Sequence, residues 1–122
     1  MSKKILIVED ETMISTMYKM KLEQDGHEVV TADNGVDGIS VAAKENFDLI
    51  LLDVIMPQLD GFAVLGELRS KAATKETPII LLTNLGTEED KKKGAELGAN
   101  GYLIKSSLTP YQVAEEVKKF LA

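Results

Sequence analysis

LILLDVIMP, at residues 49–57, is the stretch that decides the fold. It opens with four large aliphatic residues and shows no alternation with polar ones. That pattern favours a strand covered on both faces, as in a parallel sheet. Asp53 follows the strand directly and begins a loop that contains Pro57. We therefore expect a carboxylate at the carboxyl end of a buried strand.

Other short apolar runs surround this strand and predict further strands at residues 5–8, 29–32, 79–82 and 102–104. The segments between them have the apolar spacing of helices. Asp60 and Thr87 are suited to cap the third and fourth helices, and Thr109-Pro110 is a strong start for the fifth. Gly26 is well placed to end the first helix in the left-handed conformation.

The predicted order is a strand followed by a helix, repeated along the whole chain. Such alternation implies an α/β fold with a parallel sheet and right-handed crossovers. We expect a doubly wound, flavodoxin-like sheet of five strands in the order 2-1-3-4-5, with five helices, as a single domain over residues 1–122. Strands 1 and 3 are then neighbours, and ligands bind outside the carboxyl ends of the strands at that switch point.

The first helix carries Met13, Met17 and Met20 at helical spacing, with Tyr18 and Leu22 beside them. Methionine commonly fills irregular gaps in protein cores. We therefore expect these methionines to pack in the core rather than to form a cofactor site.

Composition excludes several classes of function. The hydrophobic share of 44% and the charged share of 28% are those of an ordinary globular domain. Cysteine is absent, which excludes disulfides and thiolate nucleophiles. The net charge of −6 argues against direct nucleic-acid binding. The apolar runs are too short for a membrane helix and the amino terminus lacks signal-peptide features, so we expect a cytoplasmic protein with no membrane partner.

Polar residues follow four of the five predicted strands at one rim of the sheet. Glu9 and Asp10 end strand 1, Asp53 ends strand 3, Thr83 ends strand 4 and Lys105 ends strand 5. Each residue alone has an ordinary explanation, such as a helix cap or a surface lysine, but helix packing gives no reason to gather three acids in one crevice. Adjacent carboxylates repel one another unless a cation or proton intervenes. Oxygen ligands without histidine or cysteine favour magnesium.

These groups fit phosphoryl transfer, which needs a nucleophile, a metal and donors for the phosphoryl oxygens. Lys105 supplies a positive charge and Thr83 a hydroxyl donor. Asp53 is the preferred nucleophile because backbone N–H groups early in its loop could face the same oxygens.

The spacing Asp-x-x-Met-Pro-x-x-Asp-Gly at residues 53–61 resembles the phosphoacceptor loop of response regulator receiver domains, the switches of two-component signalling. The resemblance covers essentially the whole chain. Further positions that match the family are Glu9-Asp10, Asn34-Gly35, Thr83, Gly98-Ala99, Tyr102 and Lys105.

The resemblance implies a magnesium site and a phosphoacceptor at Asp53. Asp10, Asp53 and the backbone carbonyl of Ile55 would hold the ion, with Glu9 acting through water. Lys105 would bridge to the phosphoryl group.

The resemblance also implies how the signal would leave the site. Thr83 would swing toward the phosphoryl group and Tyr102 would rotate inward, which alters the surface made by helix 4, strand 5 and helix 5. A sensor histidine kinase or phosphotransfer protein would donate the phosphoryl group from a phosphohistidine. We expect a stand-alone receiver that acts on a downstream protein through this surface, which could also form a homodimer.

Four residues depart from the family pattern or tune it. Ser106 follows Lys105 where the family usually has proline, often after a cis bond, and a cis bond before another residue costs roughly 2.5–4 kcal/mol. Asn84 follows Thr83 where the residue is usually small, so we expect it to narrow access. Ile55 and Leu85 should flank the path of the hydrolytic water, and because both are apolar they predict a long-lived phosphoprotein.

Three rival functions fit the residues less well. A hydrolase working through an aspartyl-phosphate would resemble a pattern with a second acid two residues after the nucleophile, where this chain has Ile55, so we do not expect an enzyme. An interaction module independent of phosphorylation would have lost Asp53, one of the acidic pair or Lys105. Gly35-x-x-Gly38 is a turn and helix start rather than a nucleotide phosphate loop.

Overall fold

Five parallel strands form one sheet in the computed structural model, which describes residues 2–121. Strands β1 to β5 span Lys4–Val8, Glu28–Ala32, Leu49–Leu52, Ile79–Thr83 and Gly101–Ile104. Helices α1 to α5 span Thr12–Gln24, Gly35–Lys44, Gly61–Ser70, Glu88–Glu96 and Pro110–Leu121, and a short 3-10 turn covers Lys105–Ser107. The order β2-β1-β3-β4-β5 confirms the predicted topology and places the switch point between β1 and β3.

The sheet separates two hydrophobic cores, and the central strands contribute to both. In β1, Leu6 and Val8 face the core under α2 and α3, whereas Ile5 and Ile7 face the core under α1 and α5. Successive side chains of a strand point to opposite faces. A strand covered on both faces must therefore be apolar at every position, which explains the continuous runs in β1, β3 and β4.

The predicted caps are present at three helix starts. Asp60 accepts a hydrogen bond from the Ala63 N–H at 3.0 Å, and Thr87 accepts one from the Asp90 N–H at 3.0 Å. Thr109 accepts from the Gln112 N–H at 3.1 Å, and the Gln112 side chain accepts from the Thr109 N–H at 2.9 Å, which completes a capping box. These caps fix the starts of α3, α4 and α5 just beyond the rim of the sheet.

Among residues 2–121, every helix is too short or too polar to span a bilayer.

The prediction that the α1 methionines fill the core is wrong. Met13, Met17 and Met20 are 86%, 47% and 58% exposed, and the helix instead buries Tyr18 and Leu22. The methionines and the pair of Tyr18 and Leu22 both have helical spacing, so periodicity alone does not show which of the two sets is buried. The packing of α1 onto the sheet and α5 buries Tyr18 and Leu22 and leaves the methionines on the outer face.

Candidate functional site

The switch point brings three carboxylates together. Glu9 and Asp10 follow β1, Asp53 follows β3, and ligand oxygens from all three lie within 4.8 Å of one another. Strands β1 and β3 pair in register up to Val8 and Leu52, so Glu9 and Asp53 leave the sheet at the same level. Both are buried, at 3% and 5% exposure. Crowded carboxylate oxygens with no nitrogen or sulfur donor among them fit a hard divalent cation such as magnesium.

Lys105 connects the two buried carboxylates. Its Nζ donates to Asp53 Oδ2 at 3.0 Å and to Glu9 Oε1. Lys105 follows β5, two strands away from β3, so its side chain reaches across the end of β4 to the acids. One lysine cannot balance three carboxylates, and the site therefore keeps a negative charge that favours a cation.

Burial decides the protonation of Glu9. It raises the pKa of Glu9 to about 7, even though Glu9 accepts hydrogen bonds from Lys105 and the Glu11 N–H. Burial acts on Lys105 in the opposite direction, but its hydrogen bonds to Glu9 and Asp53 outweigh burial and raise the pKa of the lysine. Near neutral pH Glu9 is therefore the group of this pair that exchanges a proton.

The loop after β3 folds back onto Asp53. The Asp53 Oδ1 accepts from the Ile55 N–H at 3.3 Å, and the Gly61 N–H donates to the Val54 carbonyl at 2.9 Å. A Cβ on Gly61 would lie 2.1 Å from the Asp53 carbonyl oxygen. Only glycine allows this approach, which gives a steric reason for the last residue of the phosphoacceptor-like spacing.

The two predicted switch residues contact the same residue. Thr83 is fully buried, and its Oγ1 lies 3.4 Å from the Leu85 N–H, which donates to it. The Tyr102 hydroxyl donates to the Leu85 carbonyl at 2.5 Å. Thr83 and Tyr102 are therefore both hydrogen-bonded to the backbone of one residue of the β4–α4 loop.

The remaining predicted residues form the outer edge of the site. Ile55 is 55% exposed, whereas Leu85 packs partly against the core under α2 and α3. Asn84 is exposed, and its Oδ1 accepts from the Ser106 N–H at 2.8 Å. No peptide bond in residues 2–121 is cis, which includes the bond between Lys105 and Ser106. The sequence distinguishes Asn84 and Ser106 separately but does not predict their contact, although both stand just past the ends of the neighbouring strands β4 and β5.

Residues 5–118 match the family model described as the response regulator receiver domain. The chain is 42% identical to the alkaline phosphatase synthesis transcriptional regulatory protein PhoP of Bacillus subtilis, over 99% of this chain and 49% of that protein. It spans about half the length of the curated relatives it matches.

Solved structures that are similar over nearly the whole chain include two receiver-like proteins of known source. Chemotaxis protein CheY4 of Vibrio cholerae superposes with a TM-score of 0.93 at 34% identity, covering 99% of this chain and 100% of that one. The receiver domain of sensor histidine kinase PA1611 of Pseudomonas aeruginosa, solved with a magnesium ion coordinated in its active site cleft, has a TM-score of 0.88 at 26% identity, with 99% and 98% coverage.

Proposed function

The chain belongs to the response regulator receiver domain family, and from that membership we propose that it is a phosphorylation-activated signalling switch with Asp53 as its phosphoacceptor. One observation carries the proposal. The Asp53 carboxylate stands at the switch point with one oxygen on the Lys105 ammonium and the other on the Ile55 N–H. These donors orient the carboxylate and leave it beside a fixed positive charge.

The proposed donor is a phosphohistidine of a sensor histidine kinase or phosphotransfer protein. An Asp53 oxygen forms a bond to phosphorus as the phosphorus–nitrogen bond breaks, and the imidazole nitrogen leaves with the bonding pair and takes up a proton. Lys105 Nζ, now paired with Asp53 and Glu9, is within reach of the incoming phosphoryl oxygens. The buried Thr83 hydroxyl offers a further donor from β4.

Magnesium is the proposed cofactor. Asp10, Asp53 and the backbone carbonyl of Ile55 would hold it, with Glu9 acting through water. The bound ion supplies positive charge that neutralises the charge developing on the transferred group. Support comes from the close grouping of the three carboxylates and from the magnesium ion described in the PA1611 receiver domain.

The proposed output is a change in the surface made by α4, β5 and α5. All four residues of β5 are partly exposed, and the Tyr102 hydroxyl of this edge strand donates to Leu85 in the loop that follows Thr83. A downstream protein, or a second copy of the chain, would bind this surface. We propose that residues 1–122 act as one receiver domain in the cytoplasm.

Phosphorylation of the purified protein by phosphoramidate with magnesium, followed by intact-mass spectrometry, tests this function. We expect one phosphoryl group on the wild type, none on Asp53→Asn, and almost none after magnesium is chelated. Asp60→Asn is the matched control, because it changes an exposed aspartate of the same loop and keeps its capping oxygen. Label on Asp53→Asn, or an unlabelled wild type, would contradict the proposal. Steady release of phosphate from p-nitrophenyl phosphate would instead support the rival hydrolase.

A further inference from the structure

Asn84 and Ser106, the two residues that depart from the usual receiver pattern, bind each other. The Asn84 Oδ1 accepts the Ser106 N–H at 2.8 Å. The parallel ladder between β4 and β5 ends at the pair Thr83 and Ile104. The side chain of Asn84 therefore adds one more hydrogen bond between the two segments that follow β4 and β5, just beyond the end of the ladder.

This hydrogen bond joins the loop that follows Thr83 to the turn that begins at Lys105, and Thr83 and Lys105 are the proposed phosphoryl-binding groups. Asn84 follows Thr83 directly, and Ser106 is the second residue of the 3-10 turn that begins at Lys105. A proline at position 106 would have no N–H to donate. The contact thus requires a side-chain acceptor at position 84 and a backbone N–H at position 106.

The contact also determines where the Asn84 side chain lies. Because its Oδ1 is held by the Ser106 N–H, the side chain is turned toward the β5–α5 loop. The Lys105 backbone precedes the held N–H by one residue, while its Nζ is held by Asp53 and Glu9. Lys105 is thus restrained at both ends, by the carboxylates at its tip and by Asn84 at its base.

We propose that Asn84 is a positioning residue: by holding the Ser106 N–H, it fixes the start of the turn that directs Lys105 at Asp53 and couples Lys105 to the loop that follows Thr83. The inference rests on the proposed function, because the coupling acts when Lys105 and Thr83 bind the phosphoryl group. In this interpretation the hydrogen bond between Asn84 and Ser106 restrains the backbone after Lys105, as the fixed φ angle of a proline at position 106 would do.

Substitutions at position 84 distinguish this positioning role from the alternative that the Asn84 side chain only narrows access to the site. Asn84→Leu keeps the branching of the side chain, with somewhat greater bulk, but removes the acceptor, and Asn84→Ala removes both bulk and acceptor. Positioning predicts that both variants take label from phosphoramidate roughly fivefold more slowly than the wild type. If the Asn84 side chain only narrows access to the site, Asn84→Ala should label faster than the wild type, so the rate of Asn84→Ala distinguishes the two roles. Ser107→Ala, an exposed change in the same turn, is the matched control and should label at the wild-type rate.

Two further measurements show whether Asn84 acts through Lys105. In a Lys105→Ala background, Asn84→Leu should slow labelling no further, whereas a merely structural role would reduce the rate by the same factor again. Amide exchange at Ser106, followed by NMR in the unphosphorylated protein, should be several-fold faster in Asn84→Leu.

The inference is overturned if Asn84→Leu labels at the wild-type rate or if amide exchange at Ser106 is unchanged in that variant. It is also overturned if the effects of Asn84→Leu and Lys105→Ala on the labelling rate multiply in the double variant. An unlabelled wild type would refute the proposed function alone, and the Ser106 exchange rates would then decide whether Asn84 restrains this turn.

Discussion

The hydroxyl of Tyr102 donates a 2.5 Å hydrogen bond to the backbone carbonyl of Leu85. The N–H of the same residue donates to the Thr83 hydroxyl at 3.4 Å. A rotation of Tyr102 must therefore either break its hydrogen bond to Leu85 or move the loop that contains Leu85. Thr83 is hydrogen-bonded to the same loop. The ring lies against α4 at Gly94, where an added Cβ would be 3.3 Å from Tyr102 Cδ2.

Tyr102→Phe should weaken the coupling between the phosphorylation site and α4. It removes the hydrogen bond to Leu85 and keeps the ring, so we expect a stability loss of about 1 kcal/mol. We also expect smaller phosphorylation-dependent amide shifts in α4 and β5, because the loop movement no longer pulls on the ring. NMR spectra of phosphorylated and unphosphorylated protein measure both states.

Tyr111→Phe is the control for this prediction, since Tyr111 is a tyrosine of α5 that is 60% exposed. Thr83→Ala should reduce the same shifts, because it removes the hydroxyl that accepts from the Leu85 N–H. If both Thr83→Ala and Tyr102→Phe keep the full set of shifts, Tyr102 is a half-buried strand tyrosine without a signalling role.

Glu9 should make stability depend on pH in the absence of metal. Its pKa rises from an ordinary 4.5 to about 7 in the folded protein because burial penalises the carboxylate. The folded state then binds more protons at Glu9 than the unfolded state between these values, so the contribution of Glu9 to stability is greatest below about 4.5 and falls as pH rises toward about 7. Urea unfolding across this window measures the loss, and Glu9→Gln should flatten it. A wild-type curve as flat as that of the variant would contradict the raised pKa.

Magnesium should reverse this loss at neutral pH and above. The ion favours the ionised carboxylates, so its apparent affinity should increase as pH rises through about 7, the pKa of Glu9. Magnesium at a hundredfold excess over its dissociation constant would add about 2.7 kcal/mol of stability. Asp10→Asn should remove this dependence and raise stability without metal. A melting temperature indifferent to millimolar magnesium would count against the site.

Arg69 should be important for stability but not for chemistry. Its guanidinium donates to the carbonyls of Thr74, Thr77 and Gly98 and to the Asn100 side chain. These contacts tie the end of α3 to the loops before β4 and β5, at the rim opposite Asp53. Arg69→Ala should cost roughly 3 kcal/mol in chemical denaturation, because several carbonyls lose a charged donor.

Arg69→Lys should recover little of this loss, because one ammonium cannot reproduce the planar fork of a guanidinium. Lys71→Ala, next to the same helix end, is the control and should cost less than about 0.5 kcal/mol. The folded Arg69→Ala protein should still accept label from phosphoramidate at close to the wild-type rate. A large drop in that rate would show that this rim influences the site.

The sequence predicts those features that depend on periodicity or on local chemistry. Continuous apolar runs identify β1, β3 and β4 because both faces of these strands are buried. The cap of α4 is also predictable, because Thr87 and the Asp90 N–H that it binds are only three residues apart. The acids meet because parallel strands end at one rim. The Arg69 contacts and the pair of Asn84 and Ser106 have no local pattern, since each joins loops that only the tertiary fold brings together.

Ile55 and Leu85 are predicted to prolong the phosphorylated state. Hydrolysis of the aspartyl-phosphate needs a water aligned opposite the Asp53 oxygen, and neither apolar side chain can hydrogen-bond it. Ile55 is 55% exposed, so a polar substitution there should leave the fold intact. Leu85 packs partly against the core, but its contacts with Thr83 and Tyr102 are made by its backbone and survive a change of side chain.

Ile55→Asn combined with Leu85→Glu should therefore speed decay of the phosphoprotein roughly tenfold, about 1.4 kcal/mol of barrier. The measurement is loss of label from purified phosphoprotein in magnesium, and Ile55→Asn alone separates the exposed position from the partly buried one. Ile55→Val is the control, because it stays apolar and should decay as the wild type does. If the two side chains only cover the edge of the core, the double variant will decay at the wild-type rate or more slowly. Only faster decay of the polar variants, with Ile55→Val unchanged, assigns the long lifetime to exclusion of the attacking water.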